Sequence, residues 1–335
     1  MLREAPMGNQ TDKGQSSGET EPPSPPHPVE RRQPLPGEQP KSAKDDSGAP
    51  DVVKRILESP SYREAAEDLD FLRAPETRGV RLQLEYLKAE TLLAEHRVAH
   101  TIVVFGGSRI LERDAAARVV TALDQAFAAD SDNEFLRRRL AIAQRVLEKS
   151  KYYDMAREFG RIVGRAEPLA GGGRIVVMTG GGPGIMEAAN RGACDVAARS
   201  VGLNITLPHE QYPNPYITPE LCLRFHYFAL RKFHFVMRAR ALVAFPGGYG
   251  TMDELFEILA LSQTRKIAPV PVILVGESYW KKAFDPDFLV EEGVIDPEDR
   301  ELFWYADSAE DIWQGILRWY EMKGTPLLAR ETRKS

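Results

Sequence analysis

Residues 241–257, ALVAFPGGYGTMDELFE, constrain the fold more than any other stretch of the chain. An apolar run of strand length enters a turn made of Pro246, Gly247, Gly248, Tyr249 and Gly250, and helical spacing of apolar residues follows from about Thr251. A buried strand that feeds a helix through a glycine turn is the repeating unit of a parallel sheet, because parallel neighbours need a crossover and both sheet faces must be covered. The pattern recurs. Residues 101–105 form a β-branched run that stops at Gly106-Gly107-Ser108, and 174–179 form another that stops at the glycines of 180–184, with a helix expected over 185–199. Residues 201–206, 221–227 and 270–275 read as further strands. Amphipathic spacing predicts helices over 114–128, 133–165, 229–238, 251–262 and 309–322. The prolines of 208–219 exclude regular structure there. The fold expected is α/β, an open, mostly parallel sheet with helices on both faces, and it places ligands beyond the carboxyl ends of the strands.

Ten of the 24 prolines fall within residues 1–50, among polar residues with few aliphatic ones to offset the entropy of ordering. That stretch is expected to be a disordered, proline-rich tail. Helical spacing at Val53, Ile56 and Leu57, and again from Leu82 to Leu93, predicts a helical extension over 51–97, ahead of a main domain at 98–325 and a flexible tail at 326–335. A chain of 335 residues, 43% of them hydrophobic, can bury one substantial core with length to spare. Its net charge of −5 offers no basic stripe for a nucleic-acid backbone, so no nucleic-acid partner is expected. The two cysteines, Cys194 and Cys222, lie outside CxxC spacing, which argues against a disulfide framework or structural zinc and fits a reducing cytoplasm. No apolar run reaches the length of a membrane span, so the protein is expected to be soluble, cytoplasmic and free of membrane.

The turn at 246–250 suits a phosphate, since glycines let backbone N–H groups approach an anion and a helix N-terminus adds partial positive charge. Thr251 can add a hydroxyl, and Glu254 follows three residues later. Taken alone, the segment favours a structural reading: Thr251-Met252-Asp253-Glu254 matches a capping box, in which the carboxylate returns to a backbone N–H. The second loop, TGGGPGIMEA at 179–188, could present another N–H cradle through Gly181 and Gly182. It is neither the dinucleotide fingerprint, since Ile185 stands where the third glycine belongs, nor a P-loop, since no Gly-Lys-Ser/Thr follows. Ser108 and Arg109, at the end of the first loop, could add phosphate contacts, although Arg109 fits a solvated surface position as well. His226 and His234 lack a metal-ligand partner at helical spacing and read as packing or wall residues.

The segment Pro246-Gly247-Gly248-Tyr249-Gly250-Thr251-Met252-Asp253-Glu254 resembles the PGGxGTxxE signature of the LONELY GUY family. Residues 180–186 resemble that family's GGGxxGxM loop, Arg231-Lys232 its Arg-Lys pair, 15 residues before Pro246, and Leu207-Pro208-His209-Glu210 its glutamate loop. The similarity runs from about Thr101 to Tyr320. It implies a Rossmann-like domain that hydrolyses the N-glycosidic bond of a nucleoside 5′-monophosphate, AMP or an N6-modified relative such as a cytokinin nucleotide, to free base and ribose 5-phosphate. By resemblance Arg231 and Glu254 are the catalytic pair, with Gly181, Gly182, Glu210, Lys232, Gly248, Tyr249, Gly250, Thr251, Ser108 and Arg109 toward the substrate. No cofactor or metal is implied, and a homodimer or larger homo-oligomer is. The chemistry accords with the residue types: positive charge builds on the sugar as the base leaves, and a carboxylate can stabilise it or activate water. Arg231 is expected to fix the nucleotide and to hold Glu254 ionised.

Members of this family have been labelled lysine decarboxylases, a reaction that needs an electron sink such as pyridoxal phosphate, for which the sequence shows no convincing Schiff-base lysine. The proline-rich head, the helical extension and the charged helices of 114–165 exceed compact plant-type members, and Ala260 stands where those often carry a hydroxyl. Both features leave room for a broader nucleotide preference. A different class of function also fits the same pocket, a sensor or carrier that binds a nucleotide without turning it over. A third would use the proline-rich head as a partner peptide.

Overall fold

The structure, a computed structural model, describes residues 24–31, 33–166, 169, 173–208 and 212–328. The chain divides into two compact units, Met1–Leu72 and Arg73–Ser335. In the first, residues 24–31 and 33–48 contain no helix or strand, and the rest of the expected disordered tail lies outside the described residues. Helix α1 (Ala49–Leu57) starts where Pro50 supplies a preset φ, and α2 (Leu69–Arg73) is one short turn at the end of the unit.

The second unit opens with α3 (Arg78–Glu95), the last helix of the expected extension, and continues into β1 (His100–Phe105). The passage from β1 to β2 (Ile175–Thr179) holds α4 (Arg113–Ala129), α5 (Glu134–Glu148) and α6 (Ser150–Arg165). Then follow α7 (Ile185–Asp195), β3 (Ser200–Ile205), β4 (Cys222–Phe225), α8 (Phe228–Met237), β5 (Ala239–Ala244) and α9 (Tyr249–Gln263). The chain ends through β6 (Val272–Val275), α10 (Glu277–Ala283), α11 (Pro286–Glu291), β7 (Trp304–Ala306) and α12 (Ala309–Met322). All seven strands are parallel, in the order β4-β3-β2-β1-β5-β6-β7.

Alternate strand residues feed two cores, as the period of two requires. On one face Ile102, Val104, Val177, Val243 and Ile273 meet Phe159 of α6, Ile185 of α7 and Ile312 of α12. On the other, Val103, Phe105, Met178, Leu242 and Leu274 meet Leu93 of α3, Phe235 of α8, Leu255 of α9 and Trp280 of α10. The Rossmann-like sheet with helices on both faces is therefore as expected from the alternation.

Three local expectations are corrected. The single helix over 133–165 is two, broken at Lys149, because α5 turns Leu140 and Ala143 inward while α6 lays Tyr153, Ala156, Phe159 and Val163 on the sheet side. No Gly or Pro marks that break. The helix after the signature turn begins at Tyr249, two residues before Thr251. Of the expected tail at 326–335, Leu327 is buried and Leu328 pairs with Leu169; residues 329–335 lie outside those described.

Candidate active site

Chain order reverses between β1 and β5, and a sheet of this kind opens a crevice at that point. The loops that leave β1, β2 and β5 meet there and are tied by their backbones. Gly107 N–H donates to the Pro246 carbonyl (2.9 Å), Ile185 N–H to the Gly107 carbonyl (3.3 Å) and Phe245 N–H to the Phe105 carbonyl (2.9 Å). So close an approach needs glycine at particular places. Gly184 has φ +74°, and a Cβ there would run into the Gly107 carbonyl; a Cβ on Gly247 would run into the Thr251 side chain.

Between the loops lies a cavity of about 310 Å³. Phe105, Gly106, Gly107 and Ser108 line it from β1, Gly180 and Met186 from the β2 side, Arg231 and Phe235 from α8, and Gly248, Tyr249, Gly250, Thr251 and Glu254 from the start of α9. Gly248 is the N-cap of α9 and makes no side-chain cap bond, and the N–H groups of Thr251 and Met252 both turn back to its carbonyl (3.0 Å each). Among the described residues the N–H groups of Gly248, Tyr249 and Gly250 have no backbone acceptor, so the helix presents open donors. A Cβ on Gly248 or Gly250 would meet nothing in the protein, so the empty space beside both is room for a ligand against the backbone. The capping-box reading of Thr251 and Glu254 is not realised, because both residues lie within the helix and Glu254 points into the cavity.

Glu254 is only 4% exposed, and burial pushes its carboxyl up to about 7, with Arg231 and Lys232 pulling the other way. Arg231 Nη2 stands 3.5 Å from Glu254 Oε1. The guanidinium lies over the rings of Phe228 (4.9 Å) and Phe235 (5.6 Å), and its own pKa is lowered by burial. Its Nε is buried and has no hydrogen-bond partner among the described residues. Arg231 pulls Glu254 toward the ionised form as expected, but desolvation of the carboxylate outweighs that attraction.

The other expected site residues divide. Ser108, Gly248, Tyr249, Gly250 and Thr251 line the cavity with Arg231 and Glu254. Gly181 and Gly182 do not, because their loop is pinned: Gly181 N–H donates to Thr179 Oγ1 (2.9 Å), while the N–H and side-chain amide of Asn214 hold the Gly181 and Gly182 carbonyls (2.9 and 3.1 Å). It is Gly180 that faces the space. Lys232 turns away to Asp253 (3.0 Å) and Glu257 (3.2 Å), and Arg109 lines a neighbouring cleft instead. Glu210 lies outside the described residues. Met186 and Phe235 join as apolar walls; Met186 closes the second glycine motif, and Phe235 follows Arg231 by one helical turn, so the spacing already carried both. His234 is fully buried between Tyr86 and Phe225, as a packing residue.

Residues 186–316 match the protein-family model described as "Possible lysine decarboxylase". A probable cytokinin riboside 5′-monophosphate phosphoribohydrolase, LOG4 of Oryza sativa subsp. japonica, is 40% identical over 84 residues, which span 24% of this chain and 36% of that protein. The cytokinin riboside 5′-monophosphate phosphoribohydrolase LOG3 of Arabidopsis thaliana is 29% identical over 170 residues, 49% of this chain and 74% of that protein. The chain thus matches only about a third of the length of the rice relative. Among solved structures, the molybdenum cofactor carrier protein of Chlamydomonas reinhardtii is 17% identical, with a TM-score of 0.33 over 65% of this chain and 98% of that one.

Proposed function

The chain resembles the LONELY GUY family, and from that premise we propose that it hydrolyses the N-glycosidic bond of a nucleoside 5′-monophosphate, AMP or an N6-modified AMP such as a cytokinin nucleotide. The observation that carries the reading is a buried carboxyl held near 7, across from a partly unsatisfied arginine, in a cavity whose rim offers open helix N–H groups. A volume of about 310 Å³ lies at the lower end of the ~300–1,000 Å³ usual for small-molecule sites, enough for a nucleotide of one phosphate. The phosphate belongs on the Gly248–Thr251 turn, where donors and dipole favour an anion. The ribose then lies toward Glu254.

The reaction consumes one water. Ionised Glu254 accepts a proton as the water oxygen bonds to the sugar's anomeric carbon, the bond from that carbon to the base nitrogen breaks, and its electron pair stays with the base. The proton taken from water returns, through solvent, to the departing base. A group poised near 7 suits both halves of this cycle at neutral pH, accepting the proton and giving it back. Arg231, which lines the cavity, adds positive charge beside the nucleotide and balances the carboxylate once formed. Decarboxylation of lysine through pyridoxal phosphate fits these residues poorly, since no lysine among the described residues lines the cavity and the Lys232 amine is engaged by two carboxylates.

Quantifying free base and ribose 5-phosphate released from AMP by the full chain, beside its Glu254→Gln variant, tests the reading. Product from the wild type and a loss of at least about a hundredfold in the variant are expected. Tight AMP binding without product would favour the sensor or carrier reading instead.

A further inference from the structure

The Gly247–Tyr249 turn has two faces, and the second borders a separate cleft of about 630 Å³ that shares Gly107, Ser108, Gly248 and Tyr249 with the first cavity. Its floor is apolar, formed by Ile110, Ile142, Val146 and Tyr279, and the Tyr279 hydroxyl donates to the Gly247 carbonyl (2.5 Å). Its charged residues are Arg109, Arg145 and Lys149, and among the described residues neither Asp nor Glu lines it. Arg109 and Arg145 have no acidic partner among the described residues, and the Lys149 amine donates only to the Arg145 carbonyl (3.2 Å). On the same connection Arg157 and Arg161 meet Asp195, and Arg137 meets Glu134.

Basic residues at the end of a helix are partly explained by the helix dipole, and Arg145 and Lys149 do close α5. Arg109 is not, since it comes from the loop after β1, and its charge adds to theirs across one concave surface. Like charges gathered with no carboxylate gain most from an anion, and a guanidinium pair matches phosphate oxygens best.

We infer that this cleft is a second anion site, taking a phosphate group beside the flat apolar surface formed with Tyr249 and Tyr279. The phosphate comes from one of two sources, a further phosphate on the nucleotide in the first cavity, reaching over the Ser108 and Tyr249 rim, or a separate phosphate-bearing molecule. The first source rests on the reading of the first cavity given above; the site itself does not.

Titration calorimetry of the full chain with AMP, ADP and inorganic pyrophosphate tests this, using Arg145→Glu and Lys149→Glu variants checked for unchanged circular dichroism. Weakening of ADP and pyrophosphate by about tenfold or more, with AMP binding unchanged, is expected. Pyrophosphate that still binds beside saturating AMP identifies a separate ligand, whereas pyrophosphate displaced by AMP identifies an extension of the same one. Variants that bind ADP and pyrophosphate as tightly as the wild type, or a wild type that binds neither, would overturn the inference. Pyrophosphate binding that survives in a protein with no affinity for AMP would leave the second site standing and count against the nucleotide reading of the first.

Discussion

At the scale of single residues, the behaviour of Glu254 decides the account. A carboxyl beside a guanidinium in water would ionise more easily than usual, but here both groups are buried and stand 3.5 Å apart, so the loss of hydration prevails and the acid is held to about 7. The consequence for stability has a definite sign. Between an ordinary glutamate pKa of 4.5 and about 7, the unfolded chain releases this proton while the folded protein keeps it, so stability falls as pH rises through that window and levels off above it. Glu254→Gln removes the titration. Urea unfolding of the two proteins from pH 4 to 8 is expected to show the variant gaining on the wild type by ~1–3 kcal/mol across the window, and a constant difference would contradict the assignment. The sequence made this residue visible through the signature, but not its protonation. Spacing alone matched a capping box, and only the start of α9 at Tyr249 removes Thr251 and Glu254 from capping positions.

At the scale of elements, α8 carries Arg231, and α3 grips it near both ends. Glu85 accepts the N–H groups of His226 (2.5 Å) and Tyr227 (3.1 Å) just before α8 begins. Glu90 takes both arms of Arg238 (2.6 and 2.8 Å) at the far end and lies 3.1 Å from His234 Nδ1. Arg238 holds the Glu90 carboxyl below its usual range, as a two-pronged contact should. Replacing Glu90 by Ala is expected to cost about 1–3 kcal/mol of stability and to lower turnover of AMP more than a change of similar cost far from α8. Ile316→Val is that control: Ile316 is fully buried on α12, away from the cavity, and its expected cost is ~0.5–1.5 kcal/mol. Equal losses of activity in the two variants would remove the positioning role. This clamp was hidden in the sequence, because a glutamate on an amphipathic helix looks the same whether it faces water or another helix. The same holds for the break at Lys149, which follows from the two surfaces that α5 and α6 must cover rather than from any helix-breaking residue.

At the scale of the whole molecule, the order of the strands places the site. The alternation of β-branched runs and glycine turns was enough to predict a parallel sheet, and three glycine loops pointed to one ligand. What the sequence could not supply was that β1 and β5 are neighbours, which brings 106–108, 180 and 248–250 to a single crevice. Adjacency is a long-range property. β7, three residues long, and the short helices α10 and α11 escaped notice because such brief segments carry too little periodicity to be read. The placement also separates ligand-facing Gly180 from Gly181 and Gly182, whose carbonyls are held by Asn214 and, for Gly181, whose N–H goes to Thr179. The most direct test of the central claim is a crystal structure of the Glu254→Gln variant with AMP bound. The phosphate is expected on the N–H groups of 248–250 and the Thr251 hydroxyl, with the anomeric carbon within reach of the residue 254 side chain directly or through one water. A nucleotide whose anomeric carbon lies beyond that reach, with its phosphate elsewhere, would contradict it.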